Sequence, residues 1–145
     1  MSKLKKYAEY FMMAEFMKAR LAISQKENGR EGVDFIFKTK SGNYHELYLQ
    51  TIKIEEKRSV SILKSALGVP KDNLWIALVL LMEDIEPVLY LIPTNQLAKS
   101  DGYIFLDNNQ GERLSHLSSW EIKVFTNGME KLSEYLFVHQ AKNLV

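Results

Sequence analysis

Three charged residues stand on segments that otherwise look built for a core: Glu15, Asp34 and Lys53. Glu15 lies in a helical stripe of small and apolar residues. Asp34 interrupts the strand-like run Gly32-Val33-Asp34-Phe35-Ile36-Phe37, and Lys53 ends a second such run, Leu47-Tyr48-Leu49-Gln50-Thr51-Ile52-Lys53. A charge on a core-forming element is costly unless it is paired, hydrogen-bonded or bound to a metal. Two acids and a lysine on helix, strand and strand suit metal-dependent hydrolysis of a phosphodiester. Carboxylates then hold Mg²⁺ against the phosphoryl oxygens, and a lysine orients or deprotonates the attacking water. Mg²⁺ commonly takes only one or two carboxylates and keeps several waters, so Glu15 and Asp34 suffice if their tips converge. Each residue also has a plainer reading: Glu15 paired with a neighbouring lysine, Asp34 capping a strand start, Lys53 solvated at a sheet edge.

The elements that must position these groups follow from periodicity. Lys3 to Lys26 reads as one helix. At roughly 100° per residue, Leu4, Ala8, Phe11, Ala19 and Ala22 share a face flanked by Met12, Phe16 and Ile23, with Glu15 at its middle. Asn28-Gly29 supplies a left-handed stop. A hairpin follows, with Val33, Phe35 and Phe37 on one side and Asp34 and Ile36 on the other. Lys40-Ser41-Gly42-Asn43 is its turn, and Tyr44 to Ile54 returns. Between Glu55 and Gly68 two periods compete: Val60 and Ile62 alternate, whereas Val60, Leu63 and Leu67 recur at helical spacing. A short helix capped by Ser59 and ended by Gly68 is expected there.

Leu74 to Met82 is continuously apolar, as in a central strand covered on both faces. Glu83 to Pro87 then turns the chain, and Val88 to Ile92 returns as a strand. Pro93-Thr94-Asn95 opens a short helix to about Lys99, followed by a strand at Tyr103 to Leu106 and a polar loop from Asp107 to Glu112. Trp120 to Phe125 alternates as an edge strand. Thr126 or Asn127 caps a final amphipathic helix carrying Met129, Leu132, Tyr135 and Leu136. The expected fold is a single domain over residues 1–145, α/β or α+β, with a mixed sheet.

Composition bounds the function classes. The 145 residues include 19 basic and 18 acidic side chains, so no global field draws the chain to nucleic acid, and any such surface is a local patch. Cysteine is absent, which excludes disulfides, Cys-ligated zinc and thiol catalysis. No signal-peptide core follows the basic N-terminus, and Leu74–Met82 is too short to span a bilayer as a helix. A soluble cytoplasmic protein without a membrane partner is expected. His45, His116 and His139 show no metal-ligand spacing, and no phosphate-cradling glycine loop or nucleophile elbow occurs. Trp75 and Trp120 read as core anchors. Lys57, Arg58 and Lys64, with Lys53, form a basic cluster able to touch a phosphate backbone, diluted by Glu55 and Glu56.

Ala14-Glu15, Gly32-Val33-Asp34 and Leu49-Gln50-Thr51-Ile52-Lys53 resemble the motifs of the divergent PD-(D/E)xK, or restriction-endonuclease-like, superfamily. Asp72-Asn73-Leu74-Trp75-Ile76-Ala77 and Glu86-Pro87-Val88-Leu89-Tyr90-Leu91-Ile92-Pro93 also look like segments of its small bacterial members. The resemblance implies an αβββαβ core with helices flanking a mixed central sheet, and Mg²⁺- or Mn²⁺-dependent cleavage of DNA or RNA. It makes Glu15 the first-helix acid, Asp34 the metal-binding aspartate and Lys53 the motif lysine. The motif departs from the pattern at Thr51, where the superfamily has an acid or glutamine. Gln50, a weak ligand through its carbonyl oxygen, lies three positions from Lys53, so a regular strand points the two side chains apart. Only a β-bulge would reunite them. Glu55-Glu56-Lys57 has the literal spacing but falls in a charged, looping stretch. Two readings without catalysis stand beside the nuclease: a nucleic-acid- or protein-binding module that retains the fold, and a homodimer paired through Trp120 to Phe125.

Overall fold

The computed structural model describes residues 3–26 and 35–144. Its organising element is β5 (Leu74–Met82), buried along almost its whole length. Successive side chains of a strand point to opposite faces, and β5 divides its residues accordingly. Leu74, Ile76, Leu78 and Leu80 enter one core, whereas Trp75, Ala77, Val79 and Leu81 enter the other. Parallel to β5 lies β3 (Tyr44–Lys53), and antiparallel on its other side lies β6 (Ile85–Pro93). With β1 (Ala22–Gln25) and β2 (Phe35–Lys38) they form a mixed five-stranded sheet of order β1-β2-β3-β5-β6.

One face of this sheet is covered by α1 (Lys3–Lys18). Ala8, Met12 and Phe16, each four residues apart and therefore on one ridge, are fully buried against it. The other face carries a three-stranded antiparallel sheet of β4 (Ser59–Leu63), β8 (Ser119–Lys123) and β7 (Phe105–Asn108), in the order β4-β8-β7. Four one-turn helices complete the described chain: α2 (Lys64–Leu67), α3 (Thr94–Ala98), α4 (Met129–Leu132) and α5 (Phe137–Gln140). The fold is thus mixed α/β, as expected, but a small sheet with α2, α3 and α4 takes the place of a long flanking helix on the second face. Among the described residues no helix is long and apolar enough to cross a membrane.

Several elements differ from expectation, each for a local reason. The first helix ends at Lys18, not Lys26, in a Schellman motif. Arg20 takes the left-handed conformation at φ 63°. Its N–H donates to the Met17 carbonyl at 2.9 Å, and that of Leu21 donates to Phe16 at 3.0 Å. Leu21 then buries beside Phe16 in the same core, and Ala22–Gln25 becomes an edge strand on β2. The expected Asn28-Gly29 stop lies outside the described residues. Ser59 caps no helix; it opens β4 and pairs with Lys123, so the alternating period wins over the helical one through long-range pairing with β8. Gly68, at φ 86°, does end the one turn of α2.

The strand expected at Trp120 to Phe125 is β8, over Ser119–Lys123, but as a middle strand with both sides occupied by β4 and β7, which removes the two-fold pairing expected of an edge. The last helix is broken because Leu136 leaves helical geometry (φ −53°, ψ 136°) to bridge Tyr90 on β6. At the β5–β6 hairpin only Glu83 and Asp84 turn the chain, and Pro87 is tolerated inside β6 because that strand is an edge.

The left-handed Arg20 generates a prediction. A left-handed L-residue costs about 1–2 kcal/mol, partly offset by the roughly 0.5–1 kcal/mol that glycine loses in backbone entropy. Arg20→Gly is therefore expected to stabilise by about 0.5–1 kcal/mol, read as a higher urea midpoint at unchanged slope. A lower midpoint would contradict the motif.

Candidate functional site

Glu15, on the last turns of α1, flanks the buried ridge and does not sit at its centre. Its carboxylate accepts from Lys18 Nζ at 3.0 Å, and its side chain is about a quarter exposed. That bond, with the carboxylate's charge, raises the Lys18 pKa. The plain pairing weighed for Glu15 from its sequence is what the structure contains. Glu15 lines a shallow cleft with Ala19, Phe137 and Ala141.

Lys53 lines a different cleft, of ≈ 560 Å³, with Leu4, Tyr7, Met82 and the Glu83–Pro87 segment. Its ammonium lies 3.8 Å from Glu56 Oε1. Tyr7 and Glu15 are eight residues apart on α1, about 12 Å along its axis at ~1.5 Å per residue.

Gln50 and Lys53 are not reunited. The β3–β5 ladder runs without a shift from Glu46↔Leu74 to Lys53↔Leu81, so β3 carries no bulge there. Alternation puts Gln50 with Tyr48 and Ile52 towards the small sheet, and Lys53 with Leu47 and Leu49 towards α1. The Gln50 amide donates to the Leu49 carbonyl at 3.0 Å. Asp34 lies outside the described residues. The structure thus brings no two of Glu15, Gln50 and Lys53 together. Among the described residues no group of three or more His, Asp or Glu is placed to hold a metal ion.

The basic cluster is also redistributed. Lys57 and Arg58 are exposed between β3 and β4. Lys64 is drawn away: its Nζ donates to Asp107 Oδ1 at 2.6 Å and sits 4.1 Å from the Trp120 ring centre. Glu55 and Glu56 are exposed, with Glu55 accepting from the Glu83 N–H at 3.1 Å. Trp75 and Trp120 are core anchors, 9% and 7% exposed.

Two constellations emerge that residue types alone did not announce. At the start of β3, Glu46 is clamped between Lys26 at 2.9 Å and Lys71 at 2.8 Å. Beside it the Trp75 indole N–H donates to His45 Nδ1 at 2.9 Å, and the His45 ring stacks on Phe37 at 5.0 Å. On the small sheet, Arg58, Lys123, Tyr103 and Phe125 surround a cleft of ≈ 450 Å³. Their separation along the chain hides them; the only available signal was the polar phase of the alternating β8 segment, which leaves Glu121 and Lys123 half-buried and outward. No protein-family model, curated protein or solved structure matches this chain.

The Glu46 and His45 groups set a pH signature. Burial pushes the Glu46 carboxyl up, but the hydrogen bonds and charges of Lys26 and Lys71 outweigh it and hold the pKa at about 2, against 4.5 ordinarily. Its stabilisation is complete above about 4.5 and is lost as pH falls towards 2. Burial lowers His45 below its ordinary 6.5, so the unfolded chain binds that proton first and stability begins to fall below about pH 6.5. Thermal melts across pH should show both phases. His45→Asn, which keeps an acceptor for Trp75, should flatten the upper phase. Glu46→Gln should lower stability at pH 7 and flatten the lower phase. Unchanged profiles in both variants would refute these assignments.

Proposed function

We propose that this chain is a non-catalytic binding module built on an endonuclease-like strand order. In support of that ancestry, α1, the antiparallel β1-β2-β3 meander, α2 and a β5 parallel to β3 follow one another as in an αβββαβ core, with β4 inserted. The observation that carries the loss of catalysis is the unshifted β3–β5 ladder. It sends the Gln50 amide and the Lys53 ammonium to opposite faces of the sheet. A cleaving centre needs its metal ligand and its lysine on one reacting phosphate, within a few ångströms. Here Glu15 is already satisfied by Lys18, and Lys53 lines a separate cleft.

The test combines cleavage and stability. Single- and double-stranded DNA and RNA should remain intact with the protein in Mg²⁺ or Mn²⁺. Its melting temperature should also be unmoved by either ion. A metal held by the folded form at a hundred times its dissociation constant adds about 2.7 kcal/mol, which for a chain of this size is roughly 5–10 °C. Divalent-dependent cutting that disappears in both Asp34→Ala and Lys53→Ala would overturn the proposal and restore the Mg²⁺ or Mn²⁺ nuclease.

A further inference from the structure

The cleft on the outer side of the small sheet combines a fixed aromatic ring with two unpaired cations, and its construction explains both. On β8, Trp120 and Ile122 face the core, which leaves Glu121 and Lys123 outward. Ser59 pairs with Lys123, and the carbonyl of the preceding Arg58 accepts from the Val124 N–H at 2.7 Å. Both basic residues line the cleft, Lys123 from the outward face of β8 and Arg58 from the segment that leads into β4. Neither has an ion pair among the described residues. Glu121, the cleft's carboxylate, accepts from the Asn108 amide at 3.1 Å.

Tyr103 lines the same cleft from the segment before β7. Gly102, at φ +68°, permits a tight turn in which Asp101 Oδ1 accepts from the N–H groups of Tyr103, Ile104 and Phe105 at 2.8, 3.0 and 3.0 Å. The Tyr103 hydroxyl donates to the Asn127 carbonyl at 2.6 Å, and its ring meets that of Phe125 edge-on at 5.1 Å and 83°. Phe125 is held in turn, since a Cβ at residue 128 would lie 2.8 Å from its ring. Tyr103 is thus fixed through backbone, hydroxyl and ring contact, yet remains 42% exposed. An exposed ring already immobilised loses little entropy when a flat ligand stacks on it.

We propose that this cleft binds a nucleotide unit, with the base against Tyr103 and the phosphate between Arg58 and Lys123. The size of ≈ 450 Å³ lies within the range of small-ligand sites. Base-on-aromatic stacking is indifferent to sequence, and guanidinium and ammonium groups supply the phosphate contacts. A phosphoserine or acidic peptide would use the cations and leave the ring without a partner, so the fixed aromatic favours a ligand with a flat ring, and a phosphotyrosine peptide is the rival that the nucleotide must outbind. The cleft shares no residue with Glu15, Gln50 or Lys53, and its occupancy is therefore separate from whether the chain cleaves.

The experiment is titration calorimetry of the full chain with AMP, UMP, inorganic phosphate, a phosphotyrosine peptide, and eight-nucleotide single-stranded and duplex DNA and RNA. Mononucleotides or single strands should bind at least tenfold more tightly than inorganic phosphate. Equal affinity for monomer and strand would identify a free nucleotide; a clear preference for the strand would identify single-stranded nucleic acid. Arg58→Gln and Lys123→Gln, both on the surface, should each weaken binding about tenfold and reduce its salt dependence. Tyr103→Leu should weaken nucleotides about tenfold while leaving phosphate affinity unchanged, and Tyr103→Phe should largely retain binding. Melting curves check that each variant is folded. Three outcomes would overturn the proposal: no binding of any nucleotide or strand, preference for the peptide or for duplex, or nucleotide affinity unaffected by the two glutamine variants.

Discussion

The parallel contact between β3 and β5 is the constraint on which the remaining structure depends. Eight consecutive residue pairs hold these strands in register, and β5 contributes four apolar side chains to each of two cores. Moving either strand by one residue would exchange the core-facing sets and expose both. The register is therefore fixed from both faces at once, by α1 on one side and the small sheet on the other. A strand locked this way has no freedom to re-aim single polar side chains. Gln50 and Lys53 must diverge, whatever chemistry their proximity in sequence suggests.

Charges on the core-forming elements are answered close to home. Glu15 is met by Lys18 one helical turn away, Glu46 by Lys26 and Lys71, and Lys64 by Asp107 with the face of Trp120 beneath it. Polar groups in apolar segments are no evidence of a functional site when such local partners account for them. Here the partners exist, whereas Arg58 and Lys123 at the small sheet have no ion pair among the described residues. The mixed α/β framework and the division of labour between its faces lead to the same place: one face of the main sheet serves stability, and the sheet beyond its other face supplies exposed polar surface.

Much of this framework was legible because it follows from local periodicity. The nine apolar residues of β5, the alternation of Phe35 and Phe37, and the turn at Lys40 to Asn43 all act through nearest neighbours. What escaped was decided at a distance. Arg20 holds a position where glycine is the usual marker, so the end of α1 carried no visible sign, and Ala22 and Ile23 continued its stripe by coincidence of spacing. Val60 fitted both the alternation with Ile62 and the helical spacing to Leu63 and Leu67 until pairing with β8 settled the matter. The separation of Gln50 from Lys53 was readable from a period of two, since only a bulge could have reversed it. The cleft around Tyr103 was not, because Arg58, Tyr103 and Lys123 come from three separate segments.

The bridge between Leu136 and Tyr90 has a meaning beyond the break it makes in the C-terminal helices. Strand β6 borders the five-stranded sheet, and a bare border of unpaired amides and carbonyls invites foreign strands to add on. Glu86 puts charge along that border, Pro87 deletes a donor from it, and Leu136 occupies part of what remains. The tail of the chain thus doubles as a guard against runaway self-assembly, keeping the most apolar sheet of the molecule from growing sideways into its neighbours.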